Sequence, residues 1–271
     1  MKLASASAAA FVFLLFALML VDVVVRGASE LSPEYFTAAV TDGGRAGGIG
    51  PVVVSTLLVT LLATVFALPP AVAGALLCTE LLVHRPSARK LVRRSFEILV
   101  SAPSVAVGLI GWSLFGQVFG LGFSLFSGAA TLAFMLAPLM ALAFLNGLEA
   151  VPQALRSQSL ALGLTRWDTL VHLVLPAARP ALVAGVMLAV GRALAETAVL
   201  VLTSGVSTRM PHDVFDPGAT LAVHVYHLAH NVPGGEPRAY AAAFALVAIN
   251  IAVQVALARW KLRSGKLEAA A

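Results

Sequence analysis

Apolar residues run along this chain in long stretches, interrupted by short polar connections. The runs lie near Ala8–Val25, Pro51–Leu77, Phe96–Val118, Phe123–Leu148, Ala181–Thr203 and Tyr240–Ala258. Each comes close to or exceeds the ~20 helical residues that cross a hydrocarbon core of about 30 Å. Inside lipid the backbone N–H and C=O groups must bond within their own segment, so each run reads as a helix. The pattern therefore predicts an all-α, polytopic membrane helix bundle of about six transmembrane helices. The first run follows Lys2 and a Ser/Ala stretch, yet outlasts the apolar core of about 7–15 residues in a signal peptide. No clear small-x-small cleavage site precedes Arg26, so this run is expected to stay as the first span.

Departures from apolarity within the runs carry the next layer of information. Pro69-Pro70 remove two backbone donors and predict a kink or interruption in the second span. Ala102, Gly108 and Gly111 in the third span, and Ser127, Gly128 and Ala129 in the fourth, predict close helix approach. Asp22 falls at the end of the first span. Asn250 and Gln254, four apart in the last, are expected to hydrogen-bond between helices.

Composition agrees with a lipid solvent. Of 271 residues 59% are hydrophobic and only 11% charged, with a mean hydropathy of +0.93, against about 45–50% and about 25% in soluble domains. The single cysteine, Cys78, excludes an internal disulfide and sits in apolar sequence where a small buried hydrophobe is expected. No basic block interleaved with aromatics points to nucleic acid. Placement of charge sets orientation. Lys2, Arg85, Arg89, Lys90, Arg93, Arg94, Arg156, Arg166, Arg179, Arg259, Lys261, Arg263 and Lys266 fall on one side, and only Arg26, Arg45, Arg209 and Arg238 on the other. Both termini are thus expected in the cytoplasm of a multi-pass protein of the inner (cytoplasmic) membrane, with the loops at 26–50 and 204–239 outside.

The cytoplasmic segment Glu149–Pro180 is patterned beyond a simple connection. Pro152 suits a helix's first turn, and Leu155, Ser159, Leu160 and Leu162 then fall near one face. Gly163 supplies a stop. Thr165 with Asp168 reads as a capping box for a second helix, expected to end before Pro176. This helical hairpin, at 149–180, would expose Leu, Val and Trp167 unless it packs on its own spans or on a partner protein.

Arg192 and Glu196 stand four apart near the middle of the fifth run, on one face of the expected helix. An arginine at mid-bilayer costs about 2.5–3.5 kcal/mol on insertion scales, so it should face the bundle interior with a partner. A structural ion pair and a place on a solute pathway both satisfy that requirement. In the outer loop, His224, His227 and His230 recur every third residue, but no carboxylate or cysteine stands at a metal-ligand spacing. An interfacial helix with Tyr226 at headgroup level accounts for them better than a metal-dependent membrane enzyme does, and no metal is expected.

Gly163, nine residues, then Leu173-x-Leu175-Pro176 resembles the loop shared by the membrane subunits of bacterial ABC importers, E-A-A-x-x-x-G-x9-I-x-L-P. Ser157, Gln158 and Ser159 replace the E-A-A start, so a salt bridge from an acidic residue there does not carry over; the glycine turn and terminal Leu-Pro do. The blocks "STLLVTLLATVFALPPAVAGALL", "FEILVSAPSVAVGLIG", "EAVPQALRSQSLALG" and "GRALAETAVLVLTSG" resemble phosphate-importer permeases, and "ETAVLVLTS" with "RMPHDVF" resembles the PstA-type subunit more than the PstC-type. The likeness covers roughly Gly48–Trp260.

The resemblance implies the fold of a type I ABC importer permease, with a transmembrane domain at 51–260, an N-terminal span and outer loop at 1–50, and a tail at 261–271. It implies import of inorganic phosphate, or of another oxyanion such as molybdate or sulfate. It also implies a second, PstC-like permease, two ATP-binding cassette subunits at the hairpin and a phosphate-binding protein outside. Trp167 and the motif residues named above would form the ATPase-coupling loop, and Arg192, Glu196 and Thr197 the translocation path. The chain has no G-x-x-x-x-G-K-[ST], so no catalytic residue and no directly bound cofactor is expected, and the partner would use the ATP. A membrane anchor or sensor without transport would keep the hairpin but show no dependence on Arg192.

Overall fold

The first apolar run forms α1 (Lys2–Ala28), whose apolar window is left uncovered by the rest of the chain, as suits a helix solvated by lipid. The structure is a computed structural model that describes the backbone of residues 2–268 and the side chains of 5–159 and 161–259. The Leu160 side chain and the side chains and end of the 261–271 tail, both invoked above, lie outside the described residues. After α1, Ser32 caps α2 (Pro33–Thr37) by accepting the Tyr35 N–H at 3.1 Å. A two-residue antiparallel ribbon, β1 (Val40–Thr41) with β2 (Ala46–Gly47), interrupts an otherwise helical chain.

α3 (Gly50–Leu76) carries Pro51 in its first turn and continues through a π-helical turn at Leu77–Leu81. Contrary to expectation, Pro69 and Pro70 do not interrupt it. Ala63, Ala67, Ala71 and Ala75 form a fully buried small-residue stripe in the common core with α6 (Leu125–Glu149), its main partner. That close packing holds the helix where two donors are missing. Ser55, Thr56, Thr64 and Thr79 each donate their hydroxyl to the carbonyl four residues back, which leaves no loose donor among them.

The run Phe96–Val118 is not one straight span. α4 (Pro86–Val100) and α5 (Ser104–Gly111, prolonged as a π-helical segment to Val118) meet at 93°. Pro103 lacks an N–H and pushes Ala102 away from helical geometry, so the chain turns there. Phe96–Val100 consequently belongs to the amphipathic helix that carries Arg89, Lys90, Arg93 and Arg94. Among the described residues 5 helices are long and apolar enough to cross a membrane, or 6 if this bent pair counts as one span.

Small residues bring the helices together as expected. A methyl on Gly111 would overlap the Thr131 side chain of α6, and one on Gly128 would lie 2.9 Å from Ser204 Cβ. The buried N-terminal donors of α6 bond to the loop beyond the fifth span: Leu125 N–H to the Asp216 carbonyl at 2.9 Å and Phe126 N–H to that of Val214 at 2.8 Å.

The hairpin follows as α7 (Gln153–Ala161), a turn at Gly163 with φ +83°, and α8 (Arg166–Thr169). Thr165 caps α8, accepting the Asp168 N–H at 3.1 Å. The second arm does not end before Pro176. A π-helical turn at Leu170–Val174 leads directly into α9 (Leu175–Ala195), with Pro176 in the first turn of α9, where its missing donor matters least. Nor is the fifth run one helix to Thr203. α9 stops at Ala195, Glu196 is extended at ψ 125°, and α10 (Ala198–Thr203) starts anew. α11 (Leu221–Asn231) and α12 (Glu236–Glu268) complete the order.

Candidate functional site

Arg192 occupies the last turn of α9, where a cation complements the negative end of the helix dipole. Its side chain is 44% exposed and faces a cleft of about 730 Å³ between α9, α6 and α12, lined by Leu139, Met187, Gly191, Glu196, Asn250 and Gln254 among others. The expected pairing with Glu196 exists but is loose. Arg192 Nη2 lies 4.0 Å from Glu196 Oε2 and donates weakly to Met135 Sδ at 3.8 Å. Because the helix ends before Glu196, that carboxylate, only 10% exposed, sits on the break instead of one turn along the same helix. Most of the guanidinium's five donors therefore remain open toward the cleft.

Thr197 is the half-buried first residue of the break's far side and does not line the cleft. Gln254 donates to the Met187 carbonyl at 2.9 Å, the inter-helix bond expected of it. Asn250 behaves differently: its Oδ1 is buried without a partner, and both residues border the same cleft as Arg192. Sequence reasoning treated the amides and the charges separately. Their shared signal was polarity inside apolar runs, which in lipid points to a common interior. Together the groups form a cleft with one under-satisfied cation, a nearby carboxylate and two amides, suited to a small anion.

The second site is the hairpin. Ser159 is buried, its hydroxyl 2.9 Å from Thr169 Oγ1, tying the two arms together; Ser157 and Gln158 are exposed. Arg156 binds Glu80 at 2.7 Å, which fastens α7 of the hairpin to the π-helical turn after α3, and at the hairpin's root Glu149, the last residue of α6, receives Arg93 at 3.1 Å and Arg89 of α4. Its tip points away. Leu162 is 83% and Trp167 66% exposed, with Leu164 beside them, whereas Leu173 and Leu175 are half-buried and Pro176 is exposed. An apolar knob on an ionically held base is a docking shape.

The three histidines do not converge. Among the described residues His224, 2% exposed, has no partner for Nδ1, while His227 is half-buried and His230 is exposed and stacks on Tyr226 at 4.7 Å. Burial, followed by the charge of His227, pushes the His224 pKa down to about 4. Among the described residues no group of three or more His, Cys, Asp or Glu is arranged to hold a metal. In the same loop, backbone N–H groups of His212 and Asp213 donate to Asp216 at 2.8 and 3.1 Å and hold its carboxyl below the usual range.

Residues 71–260 match the family model described as binding-protein-dependent transport system inner membrane component. The chain is 29% identical to the probable ABC transporter permease YqgI of Bacillus subtilis over 256 residues, 88% of this chain and 85% of that protein. It is 30% identical to the phosphate transport system permease PstA 1 of Mycobacterium tuberculosis, over 79% of this chain and 69% of that one. Among solved structures, the MetNI methionine ABC transporter superposes with a TM-score of 0.63 at 17% identity, covering 80% of this chain and 94% of its own. A bacterial ABC importer of alginate gives 0.62 at 16% identity, covering 93% and 96%.

Proposed function

The chain belongs to the binding-protein-dependent transport system inner membrane components, and from that premise we propose that this ABC importer permease carries inorganic phosphate. Membership implies ATPase partners that hydrolyse ATP and a substrate-binding protein that delivers the cargo. The choice of phosphate rests on two supports. Relatives over most of the chain's length are phosphate permeases of the PstA type. The observation that carries it is Arg192, exposed to the interhelical cleft and, among the described residues, held loosely by the Glu196 carboxylate at 4.0 Å and Met135 Sδ at 3.8 Å.

Guanidinium presents a planar fork that matches phosphate oxygens and stays charged at every physiological pH. Poised beside the break in the fifth span, it would offset the desolvation of an anion in transit. Glu196, close but not clamped, would compensate the cation when the cleft is empty and keep the anion's hold weak enough for release. At the hairpin, Leu162, Leu164 and Trp167 would seat in the ATPase, and the Lys/Arg distribution supports a cytoplasmic position for that hairpin and both termini. A PstC-like permease would supply the other half of the pathway.

The test is ATP-dependent uptake of labelled phosphate in cells lacking their own high-affinity importer, with the candidate partner subunits co-expressed. Arg192→Gln, at equal membrane abundance, is expected to lower uptake about 10- to 100-fold, the worth of a charge-assisted hydrogen bond. Unchanged uptake would reduce the pair to a structural bridge. Assembled wild-type complex that takes up sulfate or molybdate in place of phosphate would reassign the cargo.

A further inference from the structure

Two cavities on the hairpin side follow one another along the same helix faces. The first, about 280 Å³, is lined only by apolar side chains, among them Leu68, Val72 and Leu76 of α3, Phe144 and Leu148 of α6, and Leu182 of α9. The second, about 450 Å³, starts where the first ends. Leu148 lines both, and the chain beyond α3 continues into it with Thr79 and Glu80 of the π-helical turn and Val83 of the turn that follows. Its charged lining has one cation in excess, Arg89, Arg156 and Arg166 against Glu80 and Glu149, with His84 beside them.

The carboxylates do not neutralise that lining. Glu80 is taken by Arg156 and Glu149 is shared by Arg89 and Arg93, whereas Arg166 makes no ion pair among the described residues. A soluble anion would fit the second cavity but leaves the first unexplained. An apolar slot within the spans, followed at its hairpin end by a cavity whose Arg166 has no ion-pair partner among the described residues, is complementary to one ligand shape, an acyl chain carrying an anionic head.

We infer that this continuous groove binds one anionic glycerophospholipid, with an acyl chain against Val72 and Phe144 and its phosphate at Arg166. Basic pockets between spans on the cytoplasmic side hold anionic head groups by the same charge logic. Bound there, the lipid bridges α3, α6 and α8, and so braces the hairpin against the bundle independently of the Arg156–Glu80 bridge. The inference does not depend on what the importer carries.

The test uses the permease assembled with its partner subunits, in nanodiscs of phosphatidylcholine containing a minor fraction of phosphatidylglycerol. After exchange into phosphatidylcholine alone, native mass spectrometry counts the phosphatidylglycerol that stays bound. Wild type is expected to retain it. Arg166→Glu, a change at an exposed side chain, should lower retention by about fivefold or more, given ~1 kcal/mol for each cation near a head group. Val72→Trp, which fills the slot, should lower it likewise, with gel filtration confirming an intact complex in both. Equal retention in Arg166→Glu, or equal retention of phosphatidylcholine, would overturn the inference. So would displacement by inorganic phosphate with Val72→Trp silent, which would mark a soluble-anion pocket. Loss of the ATPase subunit in Arg166→Glu with lipid binding unchanged would assign the pocket to the ATPase contact instead.

Discussion

His224 shows how a single buried side chain sets a pH limit on this fold. It lies under Gly44, whose added methyl would meet His224 Cε1 at 3.1 Å, and its ring is almost fully withdrawn from water. Folded, it binds a proton only near pH 4; unfolded, it does so at its ordinary value near 6.5. Between those values the unfolded chain holds the extra proton, so stability is complete above about pH 6.5 and is lost as pH falls toward 4. The loss amounts to at most about 1.4 kcal/mol per pH unit. Thermal unfolding in detergent should show Tm falling across that window, and His224→Leu should flatten the slope.

At the scale of elements, the helices pack through positions where no side chain fits. Gly111 on Thr131 is the tightest, and Thr131 cannot easily swing aside because its hydroxyl donates to the Ser127 carbonyl at 2.8 Å. Gly111→Ala is expected to cost about 1–3 kcal/mol by overpacking. Adding Thr131→Ala should recover most of it, a non-additivity that a double-mutant cycle in unfolding measurements would read directly. The glycines at 108, 111 and 128 announced such contacts from sequence, because small residues inside an apolar run have few other reasons to be there. The spans' existence was equally legible. Their breaks were not. Pro69-Pro70 looked like an interruption, yet a buried alanine stripe carries the helix through. Residues 195–198 looked continuous, since Ala-Glu-Thr-Ala contains neither proline nor glycine, and yet the helix stops there. Local residue types set the cost of a break; tertiary contacts decide whether it is taken. Of the candidate site, Arg192 and Glu196 could be picked out as charges in an apolar run, while Asn250 joined them only once α12 had been laid beside α9.

For the whole molecule, the proposed function makes the exposed knob at Gly163 the face that would meet the ATPase. Leu162, Leu164 and Trp167 contribute little to the core, so changing them should leave the permease folded while weakening its hold on the ATPase. Leu162→Ser with Trp167→Ala is expected to lower co-purification of the ATPase at least tenfold, since two large side chains each contribute about 1.5–3 kcal/mol when buried. Thermal stability of the isolated permease should shift little. Retained ATPase with both changes in place would move the contact elsewhere on the hairpin.

The unbroken passage from α8 through the π-helical turn into α9 makes Arg166–Ala195 one 30-residue rod. It meets α6 tightly at Gly147, where an added methyl would lie 2.7 Å from Ala181 Cβ. From Ala181 the rod extends about 22 Å to Arg166 and about 21 Å to Ala195 at 1.5 Å per residue. Were the rod to turn about that contact as a rigid body, its arms would be nearly equal, and a push of a few ångströms on the tip beside Trp167 would reappear, reversed in direction and almost undiminished, at Arg192.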